Sequence, residues 1–255
     1  MPGYEKPPNT KVLGKKKLQR FAETETFPNF LQVPFSEAIH GFRLQGKWAS
    51  GFFGNQKPIV LELGCGKGEY TVGLARHYLE RNFIGVDIKG ARMWRGARTA
   101  LDEGIPNAAF LRTRIELIGH FFGPGEVKEI WITFPDPQLK QGRGKKRLTH
   151  PMFLNRYRKF LAKDHIIHLK TDSAPLYHYT LNLARYNGFN IHLHTEDLYA
   201  EVPGEEAAMI QTFYESMWLK EGLKIHYLRF SMDTEQPALS LPEPEETEET
   251  LGQEG

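Results

Sequence analysis

The chain has a single cysteine, Cys65, which excludes an intrachain disulfide and any cysteine-based metal cluster. No apolar run approaches the roughly 18 residues that a membrane span requires. Met1 to Gln19, rich in Pro and Lys, has no apolar stretch of the secretory kind. These absences predict a cytoplasmic protein with no membrane contact. Metal-ligand spacing is missing as well: His192 and His194 alternate along one strand face, but no Cys or third His falls at suitable spacing. Both read as solvent-facing strand residues, and no metal is expected.

Positive charge is absent from the C-terminal end. From Asp233 to Gly255 there are eight acids and no Lys or Arg, in a chain whose net charge is +2. Residues 1–232 therefore carry +10, a charge suited either to a polyanion, through counterion release, or simply to a solvated basic surface. The tail, residues 233–255, has too few apolar residues to offset chain ordering and is expected to be disordered. Residues 1–56 read as an N-terminal arm without sustained periodicity. Lys15, Lys16, Lys17 and Arg20 precede Phe21, Phe27, Phe30 and Phe35. Basic residues among aromatics suit nucleic acid, and equally a segment pinned to a core by its Phe side chains.

Between these ends, residues 57–232 alternate strand and helix patterns. Pro58–Leu63, Asn82–Asp87, Ala108–Leu111, Glu129–Phe134, His165–Lys170, Asn190–Thr195 and Lys224–Phe230 read as strands. Tyr70–Tyr78, Ala91–Glu103, Glu116–Phe122, Met152–Leu161 and Pro175–Tyr186 read as helices. The alternation predicts an α/β fold with a doubly wound, mostly parallel seven-stranded sheet and helices on both faces. Such sheets bind ligands at the carboxyl ends of their strands, where strand order reverses.

Glu62-Leu63-Gly64-Cys65-Gly66-Lys67-Gly68 follows the first strand. A dinucleotide loop has G-x-G-x-x-G; here the third glycine comes one place early, and an acid stands two residues before Gly64. A diphosphate beside Glu62 is repelled, whereas a sulfonium and an amino group are not, which favours S-adenosylmethionine over NAD. Asp87 ends the second strand, where a carboxylate accepts from ribose hydroxyls. Cys65, beside the loop, reads as a small buried residue, and Trp94 and Trp131 as core. Arg92, Arg95 and Arg98 recur at three-residue intervals on a helix, as a solvated face or a nucleic-acid contact.

The glycine loop and Asp87 resemble the class I, Rossmann-like methyltransferase superfamily. Phe134-Pro135-Asp136-Pro137, followed by Lys140, Arg143, Lys145, Lys146 and Arg147, resembles the F-P-D-P-W-x-K…K-R-R segment of bacterial tRNA (guanine-N7)-methyltransferases. Lys170-Thr171-Asp172 and Thr212-Phe213-Tyr214-Glu215 match further family segments, in order, within Pro58 to Phe230. The resemblance implies that the enzyme uses S-adenosylmethionine to methylate guanine 46 in the tRNA variable loop; the sequence leaves monomer and homodimer open. It implies cofactor contacts from Glu62, Gly64, Gly66, Asp87, Arg114 and Asp136, with Asp136 also the catalytic acid. It assigns substrate binding to Lys140, Asp172, Thr212, Phe213, Tyr214 and Glu215. Three positions depart from the family: Gln138 replaces its Trp, Arg114 its Asn or Asp, and Phe213 its second-position base. A small-molecule methyltransferase has no use for the Arg143–Arg147 cluster. A non-catalytic tRNA-binding protein has no use for Glu62, Asp87, Asp136 and Asp172 together.

Overall fold

A computed structural model of the chain describes residues 10–140 and 142–242. The side chains of Lys15 and Lys16, and the acids from Glu243 onward, lie outside the described residues. The elements run α1 (Thr10–Thr24), β1 (Phe30–Gln32), α2 (Phe35–Ile39), β2 (Ile59–Leu63), α3 (Glu69–His77), β3 (Asn82–Asp87), α4 (Gly90–Asp102) and β4 (Ala108–Arg112). They continue with β5 (Val127–Thr133), α5 (Pro151–Tyr157), β6 (Leu161–Thr171), α6 (Ala174–Tyr186) and β7 (Asn190–Thr195). Three short helices, α7 (Leu198–Glu201), α8 (Glu206–Met209) and α9 (Phe213–Lys220), precede β8 (His226–Ser231).

The sheet has eight strands in the order β1-β4-β3-β2-β5-β6-β8-β7. The pairs from β1 through β6 are parallel, and β8 joins antiparallel to β6 and β7. β2 is apolar but for Glu62 and buried at every position, as a strand covered on both faces must be. Strand order reverses between β2 and β5, so the loops after Leu63 and Thr133 face one crevice.

The eighth strand, against the seven expected, comes from the N-terminal segment. Phe30–Gln32 pairs with Phe110–Arg112, and Phe27 and Phe30 are buried. Three residues are too short to show a period, so a β edge strand was not visible in the sequence. α1 is anchored on α4: the Trp94 indole N–H donates to Glu23 at 2.7 Å and the Arg20 guanidinium lies 4.9 Å from the Trp94 ring centre. Of the two readings of the arm's aromatics, Phe27 and Phe30 follow the pinned one. Helix Glu116–Phe122 is instead a single 3-10 segment, Ile115–His120.

Body contacts also run past the expected boundary at residue 232. Ala238 is buried, Asn155 exchanges hydrogen bonds with its backbone, and Asn187 does the same with Leu239. Among the described residues no helix is long and apolar enough to cross a membrane.

Candidate active site

The glycine loop turns because Gly64, Gly66 and Gly68 all adopt positive φ, 82°, 56° and 72°. A Cβ at Gly68 would also meet the Phe110 ring at 2.5 Å. Asp87 fixes the loop: one carboxylate oxygen accepts from Gly66 N–H at 2.9 Å, the other from Lys89 N–H at 2.8 Å. Each oxygen keeps a lone pair that these bonds do not use, and Asp87 lines the crevice.

Glu62 is buried under the loop. Oε2 accepts from the Thr71 N–H at 2.8 Å and from its hydroxyl, and Oε1 accepts from Thr133 Oγ1 at 2.8 Å. Burial pushes its carboxyl up to about 7, against the pull of those hydrogen bonds. Thr71 and Thr133 tie the loop, α3 and the end of β5 to one carboxylate, a link that composition does not reveal.

Phe134-Pro135-Asp136-Pro137-Gln138 leaves β5 under strain. Phe134 and Gln138 sit at φ 47° and 51°, left-handed positions that cost on the order of 1 kcal/mol each for side chains with a Cβ. Three contacts hold the turn: Phe134 N–H to Lys170 O at 2.8 Å, Gln138 N–H to the Asp136 carboxylate at 3.0 Å, and Arg147 Nε to Pro137 O at 3.1 Å. Asp136 itself is exposed. Thr133 is in register with Lys170, so Asp136 and Asp172 follow neighbouring strands at the same, carboxyl, end of the sheet.

Two cavities meet at Gly64. One, about 400 Å³, is lined by Glu62, Gly66, Lys67, Arg92, Phe134 and Trp218, with Tyr70, Thr212 and Tyr214 alongside. The other, about 390 Å³, is lined by Asp87, Ile88, Thr113, Arg114, Gln138 and Lys146. Phe134 and Trp218 pack at 5.0 Å between ring centres and Tyr214 stacks near Trp218 at 6.2 Å, giving the first cavity an aromatic wall. Lys67 Nζ lies 5.1 Å from the Phe213 ring centre and 5.0 Å from that of Tyr214. Trp218 was missed in the sequence, although its i, i+4 relation to Tyr214 on one helix face was available.

Glu215 takes a different place from the substrate contact expected of it. It is fully buried, 2.6 Å from the equally buried Lys170 ammonium, and accepts from Tyr199 OH at 2.7 Å. With Thr212 it forms a reciprocal N-terminal cap on α9. Lys170 also donates to the carbonyls of Ala207 and Ile210, at 2.6 and 3.0 Å. Desolvation lowers Lys170 to about 8 despite its anionic partner. This pair fixes the segment that presents Thr212, Phe213 and Tyr214.

Of the basic run, Lys140, Arg143, Lys145 and Lys146 are exposed. Arg147 is tied to Pro137 and lies 4.3 Å from the Tyr179 ring centre, so it props the turn. Trp131 is buried and stacks on His168 at 3.7 Å, and Cys65 is buried. Arg92 and Arg95 are exposed, whereas Arg98 pairs with Asp102. His192 meets Ser231 Oγ at 3.0 Å and His194 meets Tyr177 OH at 3.3 Å.

A family model described as "Putative methyltransferase" matches residues 56–228. The tRNA (guanine-N(7)-)-methyltransferase of Christiangramia forsetii is 54% identical over 220 residues, covering 86% of this chain and 98% of the relative. The protein of the same name from Bacteroides thetaiotaomicron is 50% identical, with 88% of each chain covered. The 16S rRNA methyltransferase KamB shares the fold at a TM-score of 0.53 and 15% identity, over 80% of this chain and 95% of its own.

Proposed function

The chain belongs to the tRNA (guanine-N7)-methyltransferase family, and on that premise we propose that it methylates N7 of guanine 46 in the tRNA variable loop. The observation that carries the reading is the aromatic-walled cavity that opens on the glycine loop beside the strand ends bearing Asp136 and Asp172.

The residues fit S-adenosylmethionine, which supplies an electrophilic methyl on a sulfonium. Asp87, with free lone pairs, suits ribose hydroxyls, and Ile88, Thr113 and Arg114 border the adenine side. Lys67 and Arg92 suit a carboxylate in the neighbouring cavity. Glu62, ionising near neutrality, is compatible with a nearby cation and incompatible with a diphosphate.

Guanine N7 has a free in-plane lone pair and no proton, so no base is required to expose it. The side chains' task is positioning. Phe134, Tyr214 and Trp218 offer a stacking wall for the purine. Asp136 stands at the exposed turn where positive charge develops on the ring, and a fixed carboxylate there favours the transition state over the ground state. Asp172 accepts from guanine N1–H and N2–H₂, a donor pair that adenine lacks. The Lys170–Glu215 pair acts through Thr212–Tyr214, so Glu215 is a positioning residue. Lys140, Arg143, Lys145 and Lys146 form a phosphate-binding rim in the cytoplasm, where unmodified tRNA is met.

Position 46 is tested with two tRNA transcripts, one normal and one carrying 7-deazaguanine at that position alone. Methyl incorporation into the first and none into the second is the expected result. Equal incorporation places the target elsewhere.

A further inference from the structure

The reaction cavity adjoins a second depression. Between α3 and α4 lies a cavity of about 470 Å³ whose lining includes Lys67, Glu69, Arg76, Arg95, Gln211 and Phe213. Lys67 and Glu69 border both spaces, so the two lie side by side along one path.

Arg92 and Arg95 differ from the other arginines of α3 and α4. Arg92 and Arg95 are one turn apart on α4, with Cβ atoms about 5–6 Å apart as i, i+3 residues are. Arg92 faces the reaction cavity and Arg95 the depression. Among the described residues, no carboxylate lies within 4.0 Å of either, and both are exposed. By contrast Arg98, on α4 but outside the depression, is 2.9 Å from Asp102; Arg76, which lines the depression from α3, is held 2.6 Å from Glu103. Among the described residues the one carboxylate within 4.0 Å of Lys67 is that of Glu69, at 3.9 Å. Glu69 accepts from Phe213 N–H at 3.1 Å, and the Phe213 ring, 57% exposed, stands on the rim. A cationic groove with an aromatic at its edge, leading from a cavity where a base reacts, has the attributes of a single-strand track.

We propose that the groove between α3 and α4 carries the ribose-phosphate strand next to the target guanine, with Arg95 contacting a phosphate. The inference rests on tRNA being the substrate. An acidic peptide would use the same arginines but has no use for the aromatic rim or for continuity with the reaction cavity.

The test compares the parent, Arg95→Gln and Arg98→Gln, each removing at most one charge from α4. Affinity for unmodified tRNA is measured against salt and plotted double-logarithmically. Arg95→Gln is expected to bind several-fold more weakly and to lose about 0.7–1 of slope, as one lost phosphate contact requires. Arg98→Gln, outside the groove and already paired, keeps the parental line. Calorimetry with S-adenosylmethionine gives the same affinity for all three. A parental line for Arg95→Gln, or an equal loss in Arg98→Gln, overturns the groove. Failure of the substrate reading has a separate signature: the parent forms no 7-methylguanosine, whatever the slopes.

Discussion

Glu62 couples the site's chemistry to pH. Its carboxyl stands at about 7 in the fold against an ordinary 4.5. The folded chain thus keeps a proton that the unfolded chain has lost, and stability present below about pH 4.5 is lost as pH rises through 7. A fall on the order of a few kcal/mol from this group is expected across that window, and Glu62→Gln should flatten it in denaturant titrations at several pH values. A cation bound nearby favours the ionised form. S-adenosylmethionine binding at pH 7 should therefore release a fraction of a proton, seen by calorimetry in buffers of different ionisation enthalpy. Glu62→Gln should release none; identical release in both proteins assigns the proton to another group.

Asp136 carries the catalytic assignment at the same scale. Asp136→Asn keeps an acceptor for Gln138 N–H, so the turn persists, but removes the charge. The turnover number should fall by roughly 10²-fold or more, while tRNA affinity stays near the parent value. Near-normal turnover at saturating substrates contradicts the role. The strand-end positions of Glu62, Asp87, Asp136 and Asp172 were legible in the sequence because a carboxylate at a strand end is a local feature. The duties of Glu215 and Arg147 were not, because their partners Lys170 and Pro137 are brought to them only by the folded chain.

At the scale of elements, the Lys170–Glu215 pair joins β6 to α9 and to the Ala207–Ile210 segment. Removing one member strands a buried charge: Lys170→Met and Glu215→Leu should each cost about 3–5 kcal/mol. The double variant should regain much of that stability, yet bind tRNA poorly because Thr212–Tyr214 lose their anchor. Denaturation of the four proteins measures the coupling, and additive losses refute it. The central strands were readable because runs such as Ile59–Leu63 are buried on both faces. β1 and α1 were not: three residues carry no periodicity, and α1 rests on Trp94 contacts made across the chain.

At the scale of the whole molecule, the basic body and the acidic end are not as separate as composition suggests. Arg158 donates to the carbonyls of Thr234 and Glu235, and Ala238 is buried against the body. A chain ending at Met232 should lose roughly 1–3 kcal/mol, the scale of a few hydrogen bonds and one small buried side chain. A midpoint of thermal unfolding equal to the parent's refutes that packing. Composition gave the acidic end its charge correctly but could not register the hydrogen bonds that the Asn155 and Asn187 side chains accept from the Ala238 and Leu239 N–H groups, which depend on where the fold places α5 and α6.

The account as a whole comes down to which atom receives the methyl group. Unmodified bulk tRNA is incubated with the protein and S-adenosylmethionine labelled in its methyl group, then digested to nucleosides and separated. The label should appear in 7-methylguanosine and in no other nucleoside. Label in a different nucleoside, or unlabelled tRNA beside a folded protein that binds the cofactor, contradicts the central claim.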